Sequence, residues 1–384
     1  MSQLKVNAIS DAAGANGNAI TLATDGTCTA KVTNSLSNRR LNINGAMEVA
    51  QRGTTAGITS DGYFGPDRYK WQRSGATVTI SQDTQIPAGE GFFKSLRIEC
   101  TGADDQSATA GALHMTHYYF EGQDVQRLKY GSGNAKTLKL TFWIRSPKTG
   151  THWVRLYSDD SGRMNNKKYT VSSANTWEKK TLTFAGDTSS GFTADTSTSL
   201  RLSWWWSAGS NYTSGSDSDG DEWATWNAAN AAVGQVNCMH STSNNIYLTG
   251  VQLEETTATD FEHKPYNEEL ALCQRYLQMW TSDTFYAFGR GNGTADFVFS
   301  VPLNVPLRAS PTISMHVDSG NWKVFGTTFA DNSSSTPAVR RWMKDNPTIN
   351  LNCVGFDALV DDRTGTIQAN FGAGGNFKLT SEVG

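Results

Sequence analysis

The stretch SLRLSWWWS, residues 199–207, decides the fold class. Leucine or tryptophan stands at every second position, and in a β-strand such positions share one face. We therefore expect Trp204 and Trp206 to lie in a core, and Trp205 to share the opposite face with Arg201. A strand with one apolar face and one mixed face is typical of an antiparallel sandwich.

Two further stretches repeat the pattern, LKLTFWIR at residues 138–145 and HWVRLYS at residues 152–158. Their aliphatic residues alternate with an aromatic and an arginine, so all three strands present Trp beside Arg on the outer face. The residues predicted to point outward are Trp143, Arg145, Trp153, Arg155, Tyr157, Arg201 and Trp205.

A cluster of outward aromatic rings usually marks a binding surface, because it does nothing for the core. Indole rings stack on the apolar face of a sugar ring, and arginine donates forked hydrogen bonds to hydroxyl, carboxylate or sulfate groups. The pattern therefore predicts glycan binding. An alternative stays open, in which the rings lie under a loop or in a subunit interface.

Composition narrows the classes of function. The chain has 384 residues, enough for two or three domains, with 38% hydrophobic residues and 12 tryptophans. A net charge of −3 without basic runs argues against nucleic-acid binding, and no apolar run predicts membrane insertion. The N-terminus lacks a secretory pattern, so we expect folding in a reducing cytoplasm, with the five scattered cysteines as free buried thiols.

The chain divides into four regions. Residues 1–40 are small and polar and predict an extended arm that orders against a partner. Residues 41–264 carry short alternating runs and predict a jelly-roll sandwich. Residues 265–280 predict a connector helix, either docked on the sandwich or used for self-association, and residues 281–384 predict a second small β domain.

An acidic loop follows the tryptophan strand. Asp217, Asp219 and Asp221 alternate within DSDGDE, and carboxylates in one loop suit Ca²⁺, although the spacing is not that of an EF-hand. A merely solvated loop is the alternative. Trp223 is placed at the rim of the glycan surface, and Trp226 is expected to be buried.

The chain shows no motif that requires catalysis. His114 and His117 point to opposite faces of a strand and do not form a metal site. The segment GRGNG, residues 289–293, precedes a strand and is no phosphate loop. Asp159 with Asp160, or the acidic loop, offers carboxylate pairs of a kind common on surfaces. We therefore expect a protein that is not an enzyme.

Five ordered motifs resemble tail fibre or receptor-binding proteins of tailed bacteriophages. They are INGAMEVAQRGTT (43–55), FGPDRYKW (64–71), FEGQDVQRLKYGSGNAKTLKLTFWIRS (120–146), QVNCMHSTSNNIYLTGVQLEE (235–255) and FEHKPYNEELALCQRYLQ (261–278). The resemblance implies a jelly roll similar to carbohydrate-binding modules, a homotrimer, and an arm at residues 1–40 that attaches to a tail or baseplate protein. It implies a virion component assembled in the host cytoplasm.

Together these observations predict a tail fibre subunit that binds a host glycan such as lipopolysaccharide or capsule. A second hypothesis places recognition in residues 281–384, with the jelly roll as a spacer. Its residues are Trp322, Arg340, Arg341 and Trp342. A third, a polysaccharide depolymerase, ranks lowest because no β-helix repeat occurs.

Overall fold

The structure of the chain is a computed structural model that is almost entirely antiparallel β. It describes residues 8–10, 18–22, 28–30, 39–105, 109–220, 222–280, 284–316, 322–325, 330–333, 338–341, 346–356, 359, 364–370 and 376–383. Near the N-terminus, β1 (Ala8–Ser10), β2 (Asn18–Leu22) and β3 (Cys28–Ala30) pair as a small antiparallel sheet. The rest of the predicted arm up to residue 38 lies outside the described residues.

The first large β region contains thirteen strands among the described residues. They are β4 (Thr55–Ile58), β5 (Gly62–Tyr63), β6 (Tyr69–Ser74), β7 (Thr77–Asp83), β8 (Ser95–Gly102), β9 (Leu113–Glu121), β10 (Leu138–Arg145), β11 (Gly150–Ser158), β12 (Arg163–Val171), β13 (Trp177–Phe184), β14 (Thr198–Ala208), β15 (Ala224–Thr225) and β16 (Asn245–Glu255). Two one-turn helices accompany them, α1 (Gly122–Val125) and α2 (Ser210–Thr213).

These strands form the two layers of a sandwich, which confirms the predicted fold class. Sheet A has the order β13-β10-β16-β8-β7-β4, and sheet B has the order β15-β12-β11-β14-β9-β6-β5. The inward side chains of both sheets meet in one core, where the rings of Phe142 on sheet A and Trp204 on sheet B pack edge to face with centroids 5.8 Å apart.

The alternation read from the sequence holds in all three strands. Leu200, Leu202, Trp204 and Trp206 belong to the core between the sheets, as do the apolar residues of β10 and β11 that alternate with Trp143 and Trp153. Trp206 also satisfies its ring N–H, which donates to Thr116 Oγ1 at 2.8 Å. Burial of every second side chain therefore fixes which face of each strand turns away from this core.

A bulge in β16 shapes the outer face of sheet A. The register of β10 against β16 shifts between Thr141 and Trp143, and Gly250 there has φ +61°. A Cβ at Gly250 would lie 2.6 Å from the Phe92 ring and 3.0 Å from the Trp143 ring. Only glycine fits this backbone beneath the two aromatic rings.

The connector is a shorter helix than the sequence predicts. Helix α3 (Tyr266–Gln274) begins after Pro265, and its buried Glu269 accepts hydrogen bonds from Arg40 and from the backbone N–H of Asn44. The helix is therefore docked on the sandwich, one of the two roles that the sequence left open. Its predicted last turn is instead a strand, Leu277–Trp280, which pairs with a strand near the C-terminus.

The C-terminal region is a second, smaller sandwich, as predicted. Its strands are β17 (Leu277–Trp280), β18 (Thr284–Asn292), β19 (Asp296–Pro302), β20 (Thr312–His316), β21 (Trp322–Phe325), β22 (Ala330–Ser333), β23 (Ala338–Arg341), β24 (Thr348–Val354), β25 (Thr364–Asn370) and β26 (Asn376–Thr380). Sheet C is β17-β26-β20, and sheet D is β22-β21-β25-β18-β19-β24-β23. Their shared core contains Phe297, Phe299 and Phe377.

Buried ion pairs join the two sandwiches. Glu382 accepts hydrogen bonds from Arg68 Nη1 at 2.7 Å and from Arg52 Nη2 at 2.9 Å. The Tyr276 hydroxyl donates to Glu121 Oε1 at 2.6 Å across the same junction. The C-terminal residues are therefore part of the first sandwich's structure as well as of the second.

Four cysteines, Cys100, Cys238, Cys273 and Cys353, are free and buried, which confirms the prediction for them. Cys28 lies in β3, and its side chain is outside the described residues. Within the described part of the chain, no helix has the length and apolar character needed to span a bilayer.

Candidate functional site

The three Trp-bearing strands do not share one sheet. Strand β10, with Trp143 and Arg145, belongs to sheet A, whereas β11 and β14 are neighbours in sheet B. Because the sheets pack through their inner faces, the outer residues of β10 lie on the far side of the sandwich from those of β11 and β14. The predicted outward residues therefore form two separate surfaces.

A segment of the chain covers part of the outer face of sheet B. This covering segment, residues 209–220 and 222–234, places Ala231 and Ala232 in a small apolar cluster with Trp153 and Trp205. Trp153 is 0% exposed and its ring N–H donates to Val233 O at 2.9 Å, and Trp205 is 1% exposed. The expectation that these two rings face water is wrong, because a loop lies over them, the alternative that the sequence left open.

The covering segment stops short of the remaining outer face and leaves a groove there. The groove encloses a cavity of about 250 Å³. Its lining residues are Gln72, Leu113, Met115, Arg155, Tyr157, Asp159, Arg201, Trp205, Tyr212 and Trp226. Four of the residues predicted from sequence, Arg155, Tyr157, Arg201 and Trp205, are thus brought together, and we call this site the outer-face groove.

Strand register explains why these side chains meet. Tyr157 on β11 lies opposite Arg201 on β14, and Arg201 lies opposite Tyr119 on β9. Directly opposite residues on one face have Cβ atoms about 4.5–5.5 Å apart. The guanidinium carbon of Arg201 accordingly lies 5.2 Å from the Tyr157 ring centroid and 5.0 Å from that of Tyr119.

Arg155 occupies the middle of the groove among three aromatic rings. Its guanidinium carbon lies 4.6 Å from the ring centroid of Trp226, 5.2 Å from that of Tyr157 and 5.5 Å from that of Trp205. The side chain is only 5% exposed. Burial, and next the positive charge of Arg201, lowers the pKa of Arg155 from 12.5 to about 9, so the group is still a cation at pH 7.

The groove contains polar atoms that no described protein group satisfies. They are Arg155 Nε, Arg201 Nε, Trp205 Nε1 and Asp159 Oδ2, all buried and all without a hydrogen-bond partner. Partnerless buried atoms also occur in the core, such as Trp71 Nε1 and Trp204 Nε1, but these four lie together at one cavity, where water or a ligand can supply their partners. Three N–H donors and one carboxylate acceptor among aromatic rings match the needs of a polyhydroxylated ring.

Two groups of the groove are already paired. Arg201 Nη2 donates to Asp159 Oδ1, an ion pair with both side chains about one-fifth exposed. His117 lies beside them, hydrogen-bonded through Nε2 to Gln72 at 2.7 Å and through Nδ1 to Ser203 at 2.7 Å. Burial, followed by the charges of Arg201 and Arg155, holds the pKa of His117 well below its usual value, so this histidine is neutral.

The two tryptophans of the covering segment exchange their predicted roles. Trp223 is 8% exposed, belongs to the core between the sheets and donates its ring N–H to Ala185 O at 2.7 Å. Trp226 is half-buried and lines the groove, held there by its backbone N–H, which donates to Gly162 O at 2.9 Å. The placement of Trp223 at the rim and of Trp226 in the interior is wrong.

Sequence reasoning also missed Gln72, Tyr212 and Asp159 as lining residues. Asp159 follows Tyr157 by two positions and lies one residue beyond the end of β11. If the alternation of the strand is continued by that residue, Asp159 falls on the same face as Tyr157. Gln72 and Tyr212 carry no such signal, because their positions depend on which distant segments are neighbours in the fold.

The acidic loop lies along the edge of β12. Lys168 Nζ contacts Asp217 Oδ2 at 2.5 Å and Asp219 Oδ2 at 3.9 Å, and the hydrogen bond from Lys168 lowers the pKa of Asp217 below its usual value. Asp221 lies outside the described residues. Among the residues that are described, no group of three or more His, Cys, Asp or Glu side chains is arranged for a metal ion. Calcium binding by Asp217, Asp219 and Asp221 stays a prediction.

Trp143 borders a different cavity, of about 270 Å³, on the outer face of sheet A. Phe92, Phe261, His263 and Lys179 line it as well, and the rings of Phe92 and Phe261 pack edge to face at 5.0 Å. Arg145 is not part of this lining; its Nε donates to Asn175 O at 2.8 Å. Trp143 and Arg145 therefore do not contribute to the outer-face groove.

Of the residues assigned to recognition by the C-terminal domain, the structure describes two side chains. Arg340 and Arg341 are exposed at the margin of a cavity of about 530 Å³ on the outer face of sheet D, beside Phe288. Trp322 lies in β21, but its side chain is outside the described residues, and so is Trp342.

Comparison with protein-family models and with curated protein sequences found no match for this chain. Among solved structures, 46 chains match. The enzymatically active domain of tailspike protein 4 of bacteriophage CBA120 is similar over 49% of this chain at 13% identity and a TM-score of 0.29. The match covers 19% of that tailspike chain, so the similarity spans about a fifth of its length.

Carbohydrate-binding modules are also similar to this chain. A family 11 module of a cellulosomal cellulase of Clostridium thermocellum matches 54% of this chain and 97% of its own length, with 13% identity and a TM-score of 0.27. A family 4 module matches 56% of this chain and 99% of its own, with 14% identity and a TM-score of 0.28. Similarities at this level assign no ligand, and the outer-face groove has to be interpreted from its own residues.

Proposed function

We propose that this chain is a carbohydrate-binding subunit of a bacteriophage tail fibre and that the outer-face groove binds a glycan of the host surface. The observation that carries the proposal is the set of partnerless polar atoms on Arg155, Arg201, Trp205 and Asp159, buried among aromatic rings. A sugar ring supplies hydroxyl groups to such atoms and an apolar face to the rings.

Trp226 and Tyr157 supply the stacking surface in this proposal. They lie 6.0 Å apart with their planes perpendicular, so a pyranose that stacks on one ring meets the edge of the other. The shallow, half-open site is expected to bind one glycan unit with a Kd of about 1 mM. Lipopolysaccharide and capsule repeat their units, and a multivalent protein gains avidity on such polymers.

Binding without cleavage is part of the proposal. A glycosidase needs two carboxyl groups that face one bond. Asp159 is paired with Arg201, whereas Asp160 Oδ2 accepts a hydrogen bond from the backbone of Thr193 at 3.0 Å, so the two adjacent carboxylates engage different partners. Depolymerase activity, the alternative, is tested by the release of reducing ends from host polysaccharide.

The assembly around this subunit is also proposed, on the resemblance of its motifs to tail fibre proteins. Residues 1–40 attach to a tail or baseplate protein, and three copies form a homotrimer in the virion. Light scattering coupled to size exclusion tests the trimer directly: a mass of three times 41.8 kDa is expected, and a monomer at micromolar concentration contradicts it.

A second candidate function places recognition on the outer face of sheet D. Phe288 is 81% exposed and Tyr286 is 59% exposed on that face, beside the cavity that Arg340 and Arg341 border. Large exposed rings on a sheet face often mark a contact surface. Deleting residues 281–384 does not separate the two candidates cleanly, because Glu382 pairs with Arg68 and Arg52 of the first sandwich.

Point substitutions separate the candidates without removing a domain. The full chain, Trp226→Ala and Phe288→Ala are applied to an array of lipopolysaccharides and capsular polysaccharides. We expect the full chain and Phe288→Ala to bind the same glycans and Trp226→Ala to lose them. The reverse pattern supports the sheet D candidate, and absence of binding by the full chain overturns glycan recognition by either surface.

A further inference from the structure

The outer-face groove carries a buried positive charge that has no direct ion-pair partner among the described residues. Arg155 is 5% exposed, and no carboxylate of the described residues pairs with it within 4 Å. The carboxylate that borders the groove, Asp159, forms its ion pair with Arg201 and acts on Arg155 only as a more distant charge. An isolated cation out of water is costly, and proteins usually pair it or bind a counter-ion there.

The surroundings of Arg155 add positive charge. Arg201 is its diagonal neighbour on β14, where Ser203 lies directly opposite Arg155. Lys70 lies further along the same face, opposite His117 in the register of β6 and β9. His117 between them is neutral, and Asp61 acts on Lys70 at the edge of the sheet. The charged lining residues Arg155, Arg201 and Asp159 therefore leave one net positive charge in the groove.

The aromatic contacts of Arg155 stabilise its charge but leave its Nε without a hydrogen-bond partner. Trp226, at 4.6 Å, and the rings of Tyr157 and Trp205 surround the guanidinium. The guanidinium N–H groups point outward in its plane, whereas cation–π attraction acts between the charge and a ring face. The N–H edge is thus available for a forked hydrogen bond to an anion, the geometry for which arginine is suited.

We propose that the ligand of the outer-face groove is an acidic sugar, whose carboxylate or phosphate binds Arg155. This inference rests on the proposed function, that the groove binds a glycan, and it names the class of glycan. A neutral sugar leaves the charge of Arg155 unpaired, and an anion without a hydroxyl group leaves Asp159 Oδ2 without the donor that it lacks in the protein. An acidic sugar satisfies both.

Saturation-transfer NMR on the full chain, with matched pairs of acidic and neutral sugars, tests whether the groove prefers an acidic sugar. The uronates of glucose, galactose and mannose are each compared with the neutral parent hexose, and glucose 6-phosphate is included to separate a carboxylate from a phosphate ligand. Inorganic phosphate tests binding of the anion alone. The same sugars are titrated against Arg155→Gln and, as the matched control on the other sheet, Arg145→Gln.

We expect at least one acidic sugar to bind roughly tenfold more tightly than its neutral parent, and this preference to disappear in Arg155→Gln but not in Arg145→Gln. Binding of the acidic sugar should weaken as salt is raised. Neutral and acidic members binding equally would overturn the acidic class while leaving glycan binding intact. If no sugar binds at all, the proposed function itself fails, and binding of phosphate alone overturns the sugar requirement.

Discussion

The guanidinium group of Arg155 lies 4.6 Å from the centroid of the Trp226 ring. This contact links a strand of sheet B to the covering segment that folds over it. Both residues line the outer-face groove, but only Trp226 is half-exposed. The pair therefore combines a fixed cation from the sheet with an accessible ring from the covering segment. Its two members can be removed separately, and the consequences differ.

Trp226→Ala is expected to weaken glycan binding and to leave the fold intact. Loss of an accessible stacking ring costs about 1–2 kcal/mol of binding, or roughly tenfold in Kd. Trp223→Ala is the contrasting variant, because Trp223 is buried in the core and should cost about 3–5 kcal/mol of stability. Binding by NMR titration and unfolding in urea distinguish the two; equal destabilisation by both variants contradicts the assignment of Trp226 to the groove.

Arg155→Met is expected to stabilise the protein in the absence of ligand. Replacing an unpaired buried charge by an apolar side chain of similar length removes a desolvation cost, with an expected gain of about 1–3 kcal/mol. The matched variant Arg201→Met should do the opposite, because it leaves Asp159 without its partner. Urea unfolding of both variants gives the comparison, and destabilisation by Arg155→Met equal to that by Arg201→Met contradicts the unpaired state of Arg155.

Strand parity correctly predicted which side chains point into the core, because successive side chains of a strand point to opposite faces of the sheet. Val154 and Leu156 bury on one side of β11, so Trp153, Arg155 and Tyr157 must turn to the other. Parity says nothing of what lies above the outer face, however. Trp153 is covered by the segment that ends near Val233, a contact between residues 80 positions apart that no local pattern encodes.

The local sequence pattern also does not predict which sheet a strand joins. Trp143, in TFWIR, has sequence surroundings similar to those of Trp153, in THWVR, yet its strand pairs with β13 and β16 in the opposite layer. Likewise, Leu277 and Trp280 fit a helical spacing, but pairing with β26 extends them as a strand. In both cases tertiary pairing decides among local structures that the sequence permits.

Glu382→Ala is expected to destabilise the protein by about 3–5 kcal/mol, because it leaves the buried Arg68 without its carboxylate and Arg52 with only the longer contact to Asp67 at 3.6 Å. The matched control is Glu268→Ala, which removes an exposed carboxylate paired with Lys264 at 2.6 Å and should cost about 0–1 kcal/mol. Thermal unfolding measures both. A small, equal effect of the two variants contradicts a structural role for the C-terminal residues in the junction.

Acid should destabilise the first sandwich because His152 is buried there as a neutral ring. The side chain is 0% exposed, stacks on Tyr169 and donates from Nε2 to Lys148 O at 3.1 Å, and burial lowers its pKa from 6.5 to about 4. The unfolded chain thus takes up a proton below pH 6.5, whereas the folded chain does so only near pH 4. The stability contributed by the neutral ring is present above pH 6.5 and is lost as the pH falls.

Unfolding of the parent and of His152→Gln at pH 7.5 and pH 4.5 measures this loss. Between the two conditions the parent should lose about 2 kcal/mol more than the variant. Asp67 provides a comparison of opposite sign, since burial raises the pKa of its carboxyl group from 3.8 to about 6. Its folded form holds a proton that the unfolded chain has released, so between pH 6 and 3.8 stability rises as the pH falls. Asp67→Asn should therefore increase the loss of stability between pH 7.5 and pH 4.5, whereas His152→Gln should reduce it. If both variants change this loss in the same direction, the two pKa shifts are not as described.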